Sequence, residues 1–486
     1  MQSAKGRTVM WWGLLLAVLV GCLAMAMYQT RKPLPPGVGE AGPLRDSASV
    51  AFLYDETFRD PDGHAATDQS IFDDILTLIG QAERLLVIDM FLFNDFAGSA
   101  QGDYRPLSSQ LTQALIERKQ SVPELDIVVI TDPINTLYGS LEPDHFRDLR
   151  EAGVVLVTTD LHRLRASNPT WSGFWHLCCA WLGNDTGGGW LPNLLGPGKV
   201  TLRGYLDMLN FRANHRKTLV ADHGDSWVGL VTSMNPHDAS SRHTNTALRF
   251  SGAAALDLLN TEWRVAHWSG GDIGDRPAER VMAATTESAG SSARLQILTE
   301  GRIRDALLAS VDGTVDGDRL DIAVFYLSHR PMVAALKRAR QRGVTIRLLL
   351  DPNRDAFGLE KNGIPNRQVA HELHRAGVEI RWCATNGEQC HPKMLLKTPA
   401  EGPSELIIGS ANFTRRNLDN LNLETSVRLL ADAEQSAMAD AVAFFERHWH
   451  NRHDRRYSVG YERFADDSRV RYWQYRLMES TGLSTF

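Results

Sequence analysis

The sequence predicts an α/β fold: two tandem α/β domains with mostly parallel sheets flanked by helices, related by a pseudo-twofold, behind an N-terminal apolar anchor helix. Three observations predict it. Strand-like apolar runs alternate with helix-like stretches, the pattern of α/β units. The same ordered series of elements occurs twice along the chain. Val9–Tyr28 is a run of twenty residues without a charge, long enough to cross a bilayer core as a helix.

The apolar run follows Lys5 and Arg7 and precedes Arg31 and Lys32, so the positive-inside rule does not choose an orientation. Leu19-Val20-Gly21-Cys22 resembles a lipoprotein cleavage box, which would leave a lipidated Cys22, yet the run stays apolar to Tyr28. An uncleaved anchor, a lipoprotein and a cleaved signal all fit a membrane-anchored protein with its catalytic part outside the cytoplasm. Residues 1–30 are read as the signal or anchor. Residues 31–46, rich in Pro and Gly, are read as a linker.

The first series starts with the strand-like LLVIDMFLF (Leu85–Phe93) and a helix-like stretch, Leu107–Lys119. Then come IVVITDP, ending at Pro133, and LREAGVVLV (Leu149–Val157), a helix end, a glycine stop and a strand. The second repeats the order: LDIAVFYLS (Leu320–Ser328), Met332–Arg342, IRLLLDP to Pro352, LHRAGVEIR (Leu373–Arg381). Each series closes on a histidine motif, HRKTLVAD (His215–Asp222) and HPKMLLKT (His391–Thr398). This sets one domain at 47–285 and a second at 286–455, with a C-terminal tail, 456–486, whose aromatic and basic residues either cap the second domain or meet lipid headgroups. The halves differ in length: Gly153 to His215 takes 62 residues, Gly377 to His391 takes 14. The excess is an insert, 161–206, in which Trp171, Trp175 and Trp181 are read either as an aromatic belt at a membrane surface or as a flap packed over the domain.

His215-x-Lys217-x4-Asp222 is followed by Ser233 and Asn235. His391-x-Lys393 is followed by Gly409, Ser410 and Asn412. Breaking a phosphodiester needs a nucleophile, a proton donor opposite it, and cationic or N–H donors around the non-bridging oxygens. Two imidazoles suit the first two tasks because histidine titrates near neutral pH. Lys217 and Lys393 offer ammonium groups, Asn235 and Asn412 amide N–H, Ser233 and Ser410 hydroxyls. His and Lys at i and i+2 of a strand share a face.

This double pattern resembles the phospholipase D superfamily, which includes bacterial cardiolipin synthases, from about residue 50 to about residue 450. The resemblance implies two phospholipase D-like domains and an enzyme that forms a phosphohistidine, with His215 as nucleophile and His391 as acid and base. It implies no cofactor and no metal. His215, Lys217, Asp222, His391, Lys393 and Glu424 form the expected catalytic set, and Ser233, Asn235, Ser410 and Asn412 the substrate-binding set. There are departures. Thr398 stands where the first motif has Asp222. Glu424 lies twelve residues beyond Asn412, where the family often sets a carboxylate against a histidine ring. It is read as orienting His391, with Ala247 as its counterpart.

The resemblance and the anchor imply a glycerophospholipid substrate at a membrane: phosphatidyl transfer, as in cardiolipin synthesis, or phospholipase D hydrolysis. A nuclease of the same superfamily and a headgroup binder without turnover are the alternatives. Net charge −6, pI about 6.2 and the absence of a basic stripe speak against a nucleic-acid partner. The oligomeric state is left open. Asp132 and Asp351 end strands and are read as structural. His223, His237 and His243 are read either as lining the pocket mouth or as loop histidines, and His448, His450 and His453 either as a metal site or, in preference, as a solvated helix end. Cys383 and Cys390 are read either as a disulfide that pins the loop before His391 or as two free thiols.

Overall fold

The computed structural model describes all residues except 1, 48, 97–102, 195, 272, 274–292, 357–358 and 485. The expected boundary at 285/286 falls outside the described residues.

Two large sheets organise the chain. The first runs, edge to edge, Ala65–Gln69, Val50–Arg59, Asn245–Ser251, Ser226–Thr232, Lys217–His223, Leu85–Met90, Asp126–Thr131 and Val155–Thr158. The second runs Arg45–Asp46, Ala293–Thr299, Thr425–Ala431, Ser404–Gly409, Lys393–Thr398, Arg319–Val324, Thr345–Leu350, Glu379–Cys383 and Ser458–Gly460. Helices flank both, so the chain is α/β as expected.

Parallel pairing is narrower than the expected mostly parallel sheets. It joins Leu85–Met90 to Asp126–Thr131 to Val155–Thr158, and Arg319–Val324 to Thr345–Leu350 to Glu379–Cys383. The other pairs are antiparallel, so both sheets are mixed. The reason is connection length. The parallel strands are linked by helical crossovers, Leu107–Ser121 and Arg330–Gln341 among them. Beyond each histidine, His223 turns into Ser226 and Thr398 into Ser404, turns too short for a parallel return. The central strands are buried on both faces, as in LLVIDM, which is why they read as unbroken apolar runs.

The sheets share a core. One apolar cluster joins Phe52, Val87, Val220 and Leu248 of the first half to Leu295, Met394, Ile408 and Val427 of the second. The last helix of each half is wedged into it: Ala253–Trp268 from the first, Ser436–His450 from the second. The second crosses over, with Phe444 against Phe52 at 5.7 Å and Arg447 paired to Glu56. Separate outer clusters lie under Ile71–Gln81 and Leu107–Ser121 in the first half, and under Gly301–Asp312 and Arg330–Gln341 in the second.

Two segments read as peripheral are tied into the sheets. Arg45–Asp46, at the end of the expected linker, pairs with Arg294–Leu295 of the second half, and Arg45 binds Asp257 at 2.9 Å. The tail contributes strand Ser458–Gly460 to the second sheet and helix Arg469–Thr481. Helix Gln2–Arg31 includes an apolar stretch, Arg7–Arg31, long enough to cross a membrane by length and composition.

The insert differs from the expected three-tryptophan belt. Trp175 is fully buried, and Trp171 donates its indole N–H to Leu206 O at 2.8 Å. Trp181 and Trp190 are the exposed ones, at 73% and 67%. An amphipathic helix must turn one side inward, and Trp175 lies on that side of Pro169–Cys178.

Candidate active site

Each motif histidine sits just before its strand, and a neighbouring strand end fixes the backbone there. Asp132 accepts the N–H of Asn214 at 2.7 Å, and Asp351 accepts that of Cys390 at 2.8 Å. These aspartates therefore hold the residue preceding each histidine. Burial pushes both carboxyls up to about 7. Cys390 is also disulfide-bonded to Cys383.

The histidine segments then bridge the halves. His215 N–H donates to Leu423 O at 2.9 Å, and His391 N–H to Thr244 O at 2.8 Å. This reciprocal pairing brings both rings into one open cavity of about 450 Å³, lined also by Phe91, Tyr138, Asn235, Phe325, Asn412 and Phe486. Phe91 meets His215 edge-on at 4.9 Å, and Phe325 meets His391 at 5.1 Å.

The lysines lie beneath. Lys217 Nζ donates to His215 O at 2.7 Å and rests over the Phe91 ring. Lys393 Nζ donates to His391 O at 2.6 Å and rests over Phe325. Burial lowers Lys217 to about 7 and, with Lys217 nearby, holds Lys393 well below its ordinary value. Two ammonium groups enclosed together repel, and an anion in the cavity relieves that repulsion.

The ring partners are exchanged between halves and unequal. His215 Nδ1 faces Glu424 Oε2 at 3.0 Å. His391 Nδ1 faces the Asn245 side-chain oxygen at 3.2 Å. The expectation set Glu424 against His391; the structure sets it against His215. The counterpart of Glu424 is Asn245, not Ala247. Ser410 Oγ bonds Glu424 and accepts from Thr425 N–H, while Ser233 Oγ bonds Asn245 and accepts from Thr246 N–H. The loop from Asn235 to Asn245 is two residues shorter than that from Asn412 to Glu424, so counting from the asparagines misses the match.

Burial lowers His215 to about 4, against the pull of Glu424, and holds His391 well below the imidazole range with Lys393 and His243 adding to it. For Glu424, burial acts upward, but His215, Lys217 and the Ser410 hydroxyl keep the carboxyl below its ordinary value. The consistent state is a neutral imidazole donating from Nδ1 to a carboxylate, with Nε2 left for the cavity. Ser233 and Ser410 are occupied by these bonds. Asn235 and Asn412 line the cavity, and the Asn412 side-chain oxygen has no partner.

Asp222 lies at the far end of the strand from His215. Its carboxylate accepts the backbone N–H of Arg84 and Leu85, each at 2.9 Å, and pairs with the Arg84 guanidinium. Asp222→Asn is expected to cost about 1–3 kcal/mol of stability, read by chemical denaturation, with an unchanged pH–rate profile. A changed profile would return Asp222 to the reacting groups.

Two residues escaped sequence reasoning, Asn245 and Arg216. Arg216, between the motif His and Lys, is fully buried and binds Glu262 at 3.2 Å and Glu300 at 2.7 Å. The Glu300 oxygen that meets Arg216 also accepts the Glu424 N–H at 3.1 Å. A charged side chain beside two inward-facing positions was the available signal. His243 lines the cavity 5.9 Å from the His391 ring. His237 is instead bonded to Ser240, and His448 to Phe444 O.

A family model described as the cardiolipin synthase, PLD-like domain matches residues 316–449. No curated protein matches the sequence. The fold is similar to that of phosphatidylserine synthase from Haemophilus influenzae Rd KW20, at 10% identity over 95% of this chain and 98% of that one, TM-score 0.56. Polyphosphate kinase from Porphyromonas gingivalis aligns at 12% identity over 90% of this chain and 54% of that one, TM-score 0.43. The phospholipase D family member Nuc from Salmonella typhimurium aligns at 18% identity over 35% of this chain and 99% of that one, TM-score 0.27. Residues 316–449 thus match a cardiolipin synthase, PLD-like domain, and the fold of the whole chain is similar to that of the phosphatidylserine synthase.

Proposed function

We propose that the protein is a membrane-tethered phosphatidyltransferase or phospholipase D acting on a glycerophospholipid through a phosphohistidine. The observation that carries this reading is the shared cavity in which each half supplies one histidine and orients the other half's ring.

In this reading His215 Nε2 attacks phosphorus and the bond to the headgroup oxygen breaks. His391, protonated when the anion enters, gives its proton to the departing alkoxide. An acceptor hydroxyl or water then loses a proton to His391 and attacks phosphorus, freeing His215. The assignment follows from the unequal partners. Phosphorylation at Nε2 makes an imidazolium-like ring, and Glu424 places a carboxylate against that ring's Nδ1. Asn245 offers His391 only a neutral dipole, so its imidazolium remains a willing acid. Lys217 and Lys393 stabilise the phosphoryl charge, and Asn235 and Asn412 offer N–H groups to its oxygens.

The test is incubation of the detergent-solubilised protein with phosphatidylglycerol, with and without phosphatidylethanolamine, followed by mass spectrometry of the lipids. Cardiolipin that disappears with His391→Ala is the expected transferase result, and phosphatidate the hydrolase result. No lipid product from the intact chain would overturn the proposal.

A further inference from the structure

The anchor helix does not leave the folded part at its end. It packs against the insert helix Pro169–Cys178. A Cβ built on Gly173 would lie 2.5 Å from Cys22 O and 3.0 Å from Ala26 Cβ, so only glycine admits this approach. Leu177 reaches Gly21 from the same side. Cys22–Ala26 lies about 3–9 Å, at 1.5 Å per residue, inside the polar end of the apolar run. That is the depth at which amphipathic helices rest in a leaflet, about 5–10 Å.

At this level the insert exposes Phe174, Leu177, Trp181 and Leu182. Trp181 is the most exposed of them, and indole favours the headgroup boundary. The C-terminal helix abuts the insert, since a Cβ on Gly482 would lie 1.9 Å from Ser167 O. Leu483 is exposed at that junction, and Val470, Trp473 and Leu477 form an outward stripe on the helix.

Residues tied to these elements line the cavity. Arg416 lines it, donates to Ser167 Oγ at 2.6 Å and lies over Phe211 at 5.2 Å. Met208, Phe211 and Arg212 come from the segment that follows the insert, and Phe486 from the C-terminus. Arg416 of the cavity wall thus bonds Ser167, two residues before the helix that touches the anchor, and the cavity joins apolar walls to two guanidinium groups, as a phospholipid's glycerol backbone and phosphate require.

We propose that the insert helix and the Trp181–Leu182 turn sit in the leaflet beside the anchor, and that the cavity opens onto that leaflet, so that a bilayer phospholipid reaches the histidines without leaving the membrane. The entry route rests on the lipid substrate proposed above; the membrane contact does not.

The test uses the full-length protein in phosphatidylglycerol vesicles. The variant Phe174→Ser/Trp181→Ser/Leu182→Ser is expected to lower turnover of vesicle lipid about tenfold and to keep turnover of monomeric dihexanoyl phosphatidylglycerol within about twofold. Quenching of tryptophan fluorescence by bromine-labelled lipid chains should fall in Trp181→Phe. A second variant, Gly173→Leu, should separate insert from anchor and give the same divergence between vesicle and monomeric lipid. Equal loss on both lipids, or undiminished quenching in Trp181→Phe, would overturn the proposal. So would a detergent-stable dimer that shields Trp181. If neither lipid turns over while Trp181 quenching persists, the docking surface stands and the proposed activity falls.

Discussion

Glu424→Gln is expected to lower kcat about 10²-fold or more, and Asn245→Ala to lower it less, because only the first removes a charge from beside the ring proposed to carry the phosphoryl group. The glutamine keeps the volume and an oxygen that accepts from the Asn417 amide, so the fold is preserved. What is lost is the carboxylate 3.0 Å from His215 Nδ1. Glu424 is the main influence holding the His215 pKa up against burial. Its removal therefore pushes His215 further below about 4, and the acid limb of kcat/KM, where His215 must be neutral, moves to lower pH. Asn245→Asp has the reverse sense at His391: a new carboxylate raises that imidazole, and the alkaline limb moves to higher pH. Steady-state pH profiles of the three variants check this. Equal losses from Glu424→Gln and Asn245→Ala would sink the assignment of His215 as the attacking group.

Arg216→Met is expected to cost about 3–5 kcal/mol of stability, the usual consequence of removing one member of a buried ion cluster. Arg216, Glu262 and Glu300 are all buried, so the methionine leaves two carboxylates without a counter-ion. Denaturant unfolding measures the loss. Adding Glu262→Gln to Arg216→Met should recover part of it, because one stranded charge disappears, and the double-mutant cycle isolates the coupling. Turnover per folded molecule should fall as well. Glu300 accepts the Glu424 N–H, so releasing Glu300 loosens the carboxylate that faces His215. A single variant near wild-type stability would show that the cluster is solvated rather than buried.

Much was legible in the sequence for a local reason. The repeat, the strand-to-helix alternation and the two His-x-Lys motifs depend on residues close in the chain, and apolar periodicity reports them directly. Lys217 and Lys393 stand two residues after their own histidines, and their ammonium groups reach those histidines' backbone oxygens. The direction of most strand pairs did not follow, because an apolar run buried on both faces reads alike in parallel and antiparallel ladders. Among the tryptophans of the insert, composition did not separate buried Trp175 from exposed Trp181, since burial depends on which side of the helix meets the domain.

The ring partners were the least accessible feature. Glu424 meets His215 across 209 positions, and Asn245 meets His391 across 146. Within its own half each acid or amide is near the wrong histidine in sequence. The chain by itself determined that two imidazoles, two ammonium groups and one carboxylate are present, with one imidazole and one ammonium group in each half. Only the tertiary structure decided that the halves exchange ring partners and that the exchange is unequal. The physical reason is that the backbone bonds from His215 to Leu423 and from His391 to Thr244 form between halves, and nothing in local propensity encodes which half a strand end will meet.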